Sequence, residues 1–198
     1  AKQFKLDGAD EQFDRVLQND PNNALAYAGK ATIQLNRLQS SSGSVRAMKD
    51  SYLKQAEDYA RRAVQLSPAA AEAHYALGCV LKEQGKVDEA SSEFRNAVNF
   101  DPQHSYAYSA LGQCKLDAGS LAEAQQSFQQ AINLNSGNSS AHFGLGATLL
   151  KQGSVDDGRL CVQVQQCAHT RQHLWQGAAQ AGADLQDHAA PFRHKLHL

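Results

Sequence analysis

The sequence contains few prolines and cysteines, no long apolar run and no excess of charge of either sign. Only four prolines and four cysteines occur in 198 residues, so the disulfide framework of a small, loop-rich domain is not expected. No apolar run approaches the roughly 18 residues that cross a bilayer, which argues against membrane insertion. The 19 basic residues balance 20 acidic ones, and this balance argues against a protein that coats nucleic acid or an anionic membrane.

Signals for targeting and for catalysis are also missing. Residues 1–5 (AKQFK) lack the apolar core of a secretory signal, so we expect a cytoplasmic protein, although a signal removed earlier would leave no trace. Phosphate-binding loops, the G-x-S-x-G motif and the H-E-x-x-H zinc motif do not occur. Cys79 has no suitably spaced base, because His74 would lie on a different face of the same helix. We therefore expect neither an enzyme nor a bound cofactor.

Histidines are concentrated near the end of the chain. Five of the eight lie in residues 168–198. His169 and His173 would share a helix face, but no cysteine or carboxylate stands beside them at a clear ligand spacing. We therefore predict a polar, histidine-rich helix or tail over 168–198, with exposed histidines and no metal site.

The sequence repeats itself every 34 residues. Residues 73–78 (AHYALG) recur as 107–112 (AYSALG) and again as 141–146 (AHFGLG). The same spacing relates Phe94 to Phe128 and Ala97 to Ala131. Chance does not produce so many coincidences at one period, so we expect an array of similar structural units.

Each period is predicted to contain two amphipathic helices. Apolar residues recur at helical spacing before and after Gly85, where a helix C-cap favours positive φ. Pro102 then closes the second helix, because proline cannot continue a helix interior. Gly78 is small where the two helices must approach closely, and Phe94 would fill the space beside it. These features predict an all-α protein.

This pattern resembles the tetratricopeptide repeat, a 34-residue helix-turn-helix unit. The resemblance implies a right-handed superhelical solenoid over residues 1–167, in which each unit contacts its neighbours. Residues 71–104 and 105–138 match as regular repeats, and 139–167 as a repeat with a divergent second helix. Together with the parts before residue 71, this arrangement predicts about nine helices.

The part before residue 71 fits the same pattern with two departures. Residues 24–70 correspond to one repeat with 13 residues inserted between its helices, and the insertion includes the loop-like residues 40–44 (SSSGS). Residues 1–23 correspond to the second half of a repeat, since Phe13 stands where Phe94 stands later. This half repeat is either an amino-terminal cap or the edge of a longer array.

The resemblance also implies a binding groove. In the tetratricopeptide family, positions 2, 5, 9 and 12 of each first helix face the concave surface, and Tyr75, Tyr106 and Phe143 would be its aromatic anchors, unless they pack between repeats. The predicted groove residues are Leu25, Ala28, Thr32, Leu35, Glu72, Tyr75, Cys79, Lys82, Tyr106, Ser109, Gln113, Leu116, Ser140, Phe143, Ala147 and Leu150.

We therefore expect an adaptor or assembly scaffold that holds a peptide or helix of another protein in this groove. The lysines, asparagines and arginines with which relatives clamp the acidic tail of heat-shock chaperones are replaced here, so that ligand is not expected. Residues 71–134 hold four basic and eight acidic side chains, which favours a neutral or basic partner. The alternative is a structural or self-associating segment of a longer array.

Overall fold

The computed structural model describes residues 2–40 and 46–153, which form eight α-helices and no strand. This all-α solenoid confirms the predicted fold class. The predicted second helix of the last repeat and the histidine-rich tail lie outside the described residues. The helices are α1 (Lys2–Asn19), α2 (Ala24–Ser40), α3 (Arg46–Leu66), α4 (Ala71–Glu83), α5 (Val87–Phe100), α6 (Ser105–Asp117), α7 (Leu121–Leu134) and α8 (Ser139–Lys151).

Successive helices form antiparallel pairs that stack on one another. Helices α2 and α3, α4 and α5, and α6 and α7 are the pairs, and each second helix also packs on the first helix of the next pair. Gly85, Gly119 and Gly153 follow the first helices with φ of 82°, 78° and 70°. Glycine adopts this conformation without the steric cost of a Cβ atom, as the sequence predicted.

A phenylalanine of each regular second helix fits against glycines of the first helices. A Cβ atom added at Gly78 would lie 2.6 Å from the Phe94 ring, and one at Gly144 would lie 2.3 Å from the Phe128 ring. Both rings are fully buried, so they have no space into which to move. The small residues therefore set the distance between the helices, as predicted for Gly78.

Helix α1 packs on α2 as the second helix of a preceding unit would. A Cβ atom at Gly29 would lie 2.3 Å from the Phe13 ring, which repeats the Gly144–Phe128 contact. A buried lysine adds to this interface, because Lys30 pairs with Asp10 at 3.0 Å and also with the more exposed Asp14. Burial acts to lower the pKa of Lys30, but the hydrogen bonds and charge interactions with these carboxylates together raise it above its usual value.

The 13-residue insertion between the helices of the first full repeat mainly lengthens those two helices. Helix α2 has 17 residues and α3 has 21, whereas α4 has 13 and α5 has 14. The helix ends therefore incorporate most of the added residues. Lengthening at the connected ends extends this pair along its own axis and leaves the faces that stack on α1 and α4 in place.

The core consists of two clusters of buried side chains. The first joins α2, α3, α4 and α5 and includes Cys114 of α6, and the second joins α6, α7 and α8. First helices α2 and α4 pack together, as do α6 and α8, but no comparable packing joins α4 to α6 within the described residues. Helix α6 contributes to both clusters and connects them.

A buried polar network joins the second cluster to the start of α8. The side chain of Asn138 accepts a hydrogen bond from the amide of Ala141 at 3.1 Å and donates one to Oγ of Ser105 at 2.8 Å. Ser105 in turn donates to the carbonyl oxygen of Ala131 at 2.9 Å. Each buried group thus has a partner, so the network caps α8 and fixes it against α6 and α7.

Candidate ligand-binding cleft

A cleft of about 350 Å³ opens on the surface formed by the first helices. It lies where α4 and α6 diverge, and α2 and α8 contribute its edges. Aromatic rings and small polar groups line it, with one cation and one carboxylate. The lining residues are Thr32, Leu35, Asn36, Gln39, Tyr75, Cys79, Lys82, Glu83, Phe94, Tyr106, Ser109, Ala110, Gln113 and Ser140.

Many of the predicted groove residues converge on this cleft. The lining includes members from all four first helices, namely Thr32, Leu35, Tyr75, Cys79, Lys82, Tyr106, Ser109, Gln113 and Ser140. Tyr106 is 53% exposed and so has surface available for a ligand. The described residues therefore bring the predicted positions of neighbouring repeats together. Their binding role remains a prediction.

The other predicted groove residues do not line the cleft. Ala28 and Leu116 are buried in the first and second core clusters, and Ala147 packs against the second. Leu25, Phe143 and Leu150 are exposed at 58%, 76% and 55%, but away from the cleft. Glu72 lies one helical turn before Tyr75, beside the cleft. The periodicity identified a surface of the helices but not the part of it that forms a depression.

Five lining residues were absent from the sequence prediction: Asn36, Gln39, Glu83, Phe94 and Ala110. Gln39 reaches the cleft because α2 continues for 17 residues, beyond the length of a regular first helix. The insertion was visible in the sequence, but its helical conformation was not. Phe94 belongs to a second helix and was assigned to the core, where it is indeed buried, with its ring at the base of the cleft.

Tyr75 explains why the cleft opens at this place. Its ring lies 5.9 Å from the Phe94 ring and 4.8 Å from the His104 ring, between α4 and the start of α6. The corresponding residues of α2 and α6 are the small Ala28 and Ser109, and those helices pack closely on the first helix that follows. A large side chain at this position therefore holds α4 and α6 apart.

The cleft is weakly charged at neutral pH. Burial raises the pKa of Cys79 to about 11, and burial together with Cys79 raises that of Tyr75 further above its usual range. Both groups therefore stay protonated. The ammonium group of Lys82 makes no ion pair within the described residues, and Glu83 is exposed at the same end. Such a surface suits a ligand that offers apolar and hydrogen-bonding groups.

Within residues 2–40 and 46–153, no three histidine, cysteine or acidic side chains converge in a way that would hold a metal ion. Over the same ranges, no helix has the length and apolar character needed to span a membrane.

Comparison with protein families identifies one match. The family described as the tetratricopeptide repeat protein 21 second ARM domain matches residues 43–173, which is more than half of the chain. No curated protein is similar enough to count as a match.

Solved structures with the same fold are numerous. MamA is 19% identical with a TM-score of 0.61, and the match covers 88% of this chain and 94% of MamA. The thermophilic tetratricopeptide protein TTC0263 of Thermus thermophilus is 21% identical with a TM-score of 0.64, covering 75% of both chains. YrrB, whose structure is described as having an unusual peptide-binding site, is 20% identical with a TM-score of 0.55, covering 91% of this chain and 86% of YrrB. At these identities the likeness shows the fold alone.

Proposed function

Because the chain belongs to the family of the tetratricopeptide repeat protein 21 second ARM domain, we propose that it is a protein-interaction module that binds a peptide or helix of another protein. The main support is the cleft of about 350 Å³ at which first helices from successive repeats meet. YrrB, which has the same fold, is described as having a peptide-binding site. The module would act as an adaptor or an assembly scaffold.

The chemistry of the cleft supports binding rather than catalysis. Cys79 is the only thiol among the described lining residues, and burial raises its pKa to about 11, so little of the nucleophilic thiolate is present at neutral pH. No histidine stands beside it in the described lining to remove its proton. Cys79 and Cys114 are both free thiols, which is compatible with the cytoplasm expected from the sequence.

Aromatic side chains would supply most of the binding energy. Tyr106 combines an exposed ring with a hydroxyl group, and such residues are frequent among those that dominate interface energies. Tyr75 and Phe94 form an apolar base beneath it. A ligand with one or two apolar side chains could bury them here while its backbone reaches the hydroxyl and amide groups at the edges.

The proposal is tested by panning a random heptapeptide library on the full chain and measuring the enriched peptides by fluorescence anisotropy. Tyr106→Ala should weaken their binding by roughly tenfold or more, and Thr32→Trp should abolish it by filling the cleft. Phe100→Ala is the matched control, because Phe100 is 49% exposed but does not line the cleft. Equal binding by the folded Tyr106 and Thr32 variants would refute the proposal.

Self-association is a second candidate function, favoured by the exposed face of α8. Phe143 and Leu150 are seven residues apart and therefore share one side of the helix, and both are more than half exposed. A second copy of the chain would bury them. Light scattering after size exclusion should then show a dimer that Phe143→Glu dissociates. A monomeric wild-type chain at high concentration would exclude this function.

A further inference from the structure

We propose that Glu72 and Tyr106 form a subsite at one edge of the cleft that binds a basic side chain, best an arginine, of the ligand peptide. This inference rests on the proposed function, because the subsite extends the same cleft. The partner would then be a segment with an arginine next to an apolar residue.

The first step is the position of Glu72. It precedes Tyr75 by three residues on α4, so the two side chains lie on the same side of the helix. His104 links them, because its Nε2 lies 3.4 Å from Oε1 of Glu72 and its ring lies 4.8 Å from the Tyr75 ring. Tyr106, two residues further along, lines the cleft together with Tyr75. The carboxylate thus stands at the end of the cleft where Tyr106 exposes its ring.

The second step is that Glu72 makes no ion pair with a lysine or arginine within the described residues. Nε2 of His104 lies 3.4 Å from Oε1 of Glu72. Nδ1 of His104 accepts a hydrogen bond from the amide of Ala107 at 3.2 Å and caps α6. Nε2 is therefore the ring nitrogen that faces Glu72.

The third step is that His104 lies beside the carboxylate of Glu72 and favours its ionised form. Its ring is 8% exposed, and Nε2 has no hydrogen bond of normal geometry within the described residues. The carboxylate of Glu72 lies close to this nitrogen without forming a hydrogen bond of normal geometry with it. The interaction with His104 lowers the pKa of Glu72, so the carboxylate remains ionised at neutral pH. Glu72 therefore presents an ionised carboxylate at the edge of the cleft.

The fourth step is the fit to an arginine. A guanidinium group forms paired hydrogen bonds with a carboxylate and stacks on an aromatic face. The side chain of Glu72 is 60% exposed, which leaves oxygen atoms accessible from the solvent. Tyr106 is the second residue of α6, directly after Ser105. Its ring is exposed and can cover the guanidinium plane. The acidic character of residues 71–134 favours the same ligand.

The subsite is tested with the peptides that the library selects. We expect a lysine or arginine beside an apolar residue in the enriched sequences, and we would synthesise the best one with arginine and with its neutral analogue citrulline. Glu72→Gln should weaken the arginine peptide by roughly tenfold and the citrulline peptide by less than about twofold. Glu89→Gln is the matched control, since Glu89 is an exposed carboxylate of the neighbouring α5 that does not line the cleft.

The outcomes separate this inference from the proposed function. Equal effects of Glu72→Gln on both peptides, or selected sequences without a basic residue, would overturn the subsite. If Thr32→Trp nevertheless abolishes binding of those peptides, the cleft still binds peptide and only the subsite is wrong. If Thr32→Trp leaves their binding unchanged, the cleft is not the binding site and both proposals fail.

Discussion

Replacement of Gly144 by alanine should destabilise the protein, although alanine is the better helix former. The Cβ atom of alanine would lie 2.3 Å from both Cε1 and Cζ of the Phe128 ring. Carbon atoms in favourable contact are about 3.5–4.0 Å apart, so the overlap exceeds an ångström. Phe128 is 1% exposed. Gly112 confines the same ring from the other side, because a Cβ atom added at Gly112 would lie 2.9 Å from it.

The expected magnitude follows from two opposing effects. Overpacking of a well-packed core costs about 1–3 kcal/mol, and the overlap at Phe128 places this site at the upper end. The change from glycine to alanine in a helix contributes about 1 kcal/mol of stability. The net loss in the free energy of unfolding should be about 2 kcal/mol. Urea unfolding followed by circular dichroism at 222 nm measures it.

Gly8 provides the matched control for this substitution. It lies inside α1, and an added Cβ atom would meet nothing within 4 Å. Gly8→Ala should therefore raise the free energy of unfolding by about 0.5–1 kcal/mol. Combining Gly144→Ala with Phe128→Leu should recover part of the loss, because the smaller side chain removes the overlap. A Gly144→Ala variant as stable as the wild type would refute the argument that this glycine sets the helix spacing.

Three further predictions concern side chains described above. Because burial raises the pKa of Cys79 to about 11, iodoacetamide at pH 8 should modify it on the order of a hundredfold more slowly than free cysteine. Peptide mass mapping gives the rate of modification, and a rate that stops rising with pH below pH 9 would contradict the raised pKa. Lys30→Met should cost about 1–3 kcal/mol, because Asp10 loses one of its two cationic partners. It should also speed hydrogen exchange in α1, and unchanged exchange there would exclude a role of Lys30 in docking α1. Asn138→Ala removes the cap of α8 and a hydrogen-bond partner of Ser105, and should lower the free energy of unfolding in urea by about 2 kcal/mol. Asn22→Ala, at an exposed position, is the control and should lower it by less than about 0.5 kcal/mol.

The fold was predictable because its geometry depends on residues that recur at a fixed spacing. Where two helices meet, Gly78 must be small and Phe94 must be large, and Gly85 must adopt a positive φ. These requirements recur in every unit, so a single sequence contains the same residue pattern several times. The half repeat was recognisable for the same reason, since Phe13 contacts Gly29 as Phe128 contacts Gly144.

The shape of the cleft was less predictable because it depends on departures from the repeat. Tyr75 is one large residue at a position where Ala28 and Ser109 are small, and its effect on the spacing of α4 and α6 requires the neighbouring rings of Phe94 and His104. The contribution of Gln39 requires a longer α2. Each of these features occurs once, so periodicity contains no information about it.

The division of the core into two clusters also has a consequence for cooperativity. In a linear array, the coupling between adjacent units is the sum of the contacts at their junction. At the junction between the clusters, first helices contribute little to this sum, and the coupling depends on α5 packing against α6. The chain should therefore lose its structure in two blocks, and α6, which has side chains in both, marks the boundary between the segment that melts first and the segment that persists.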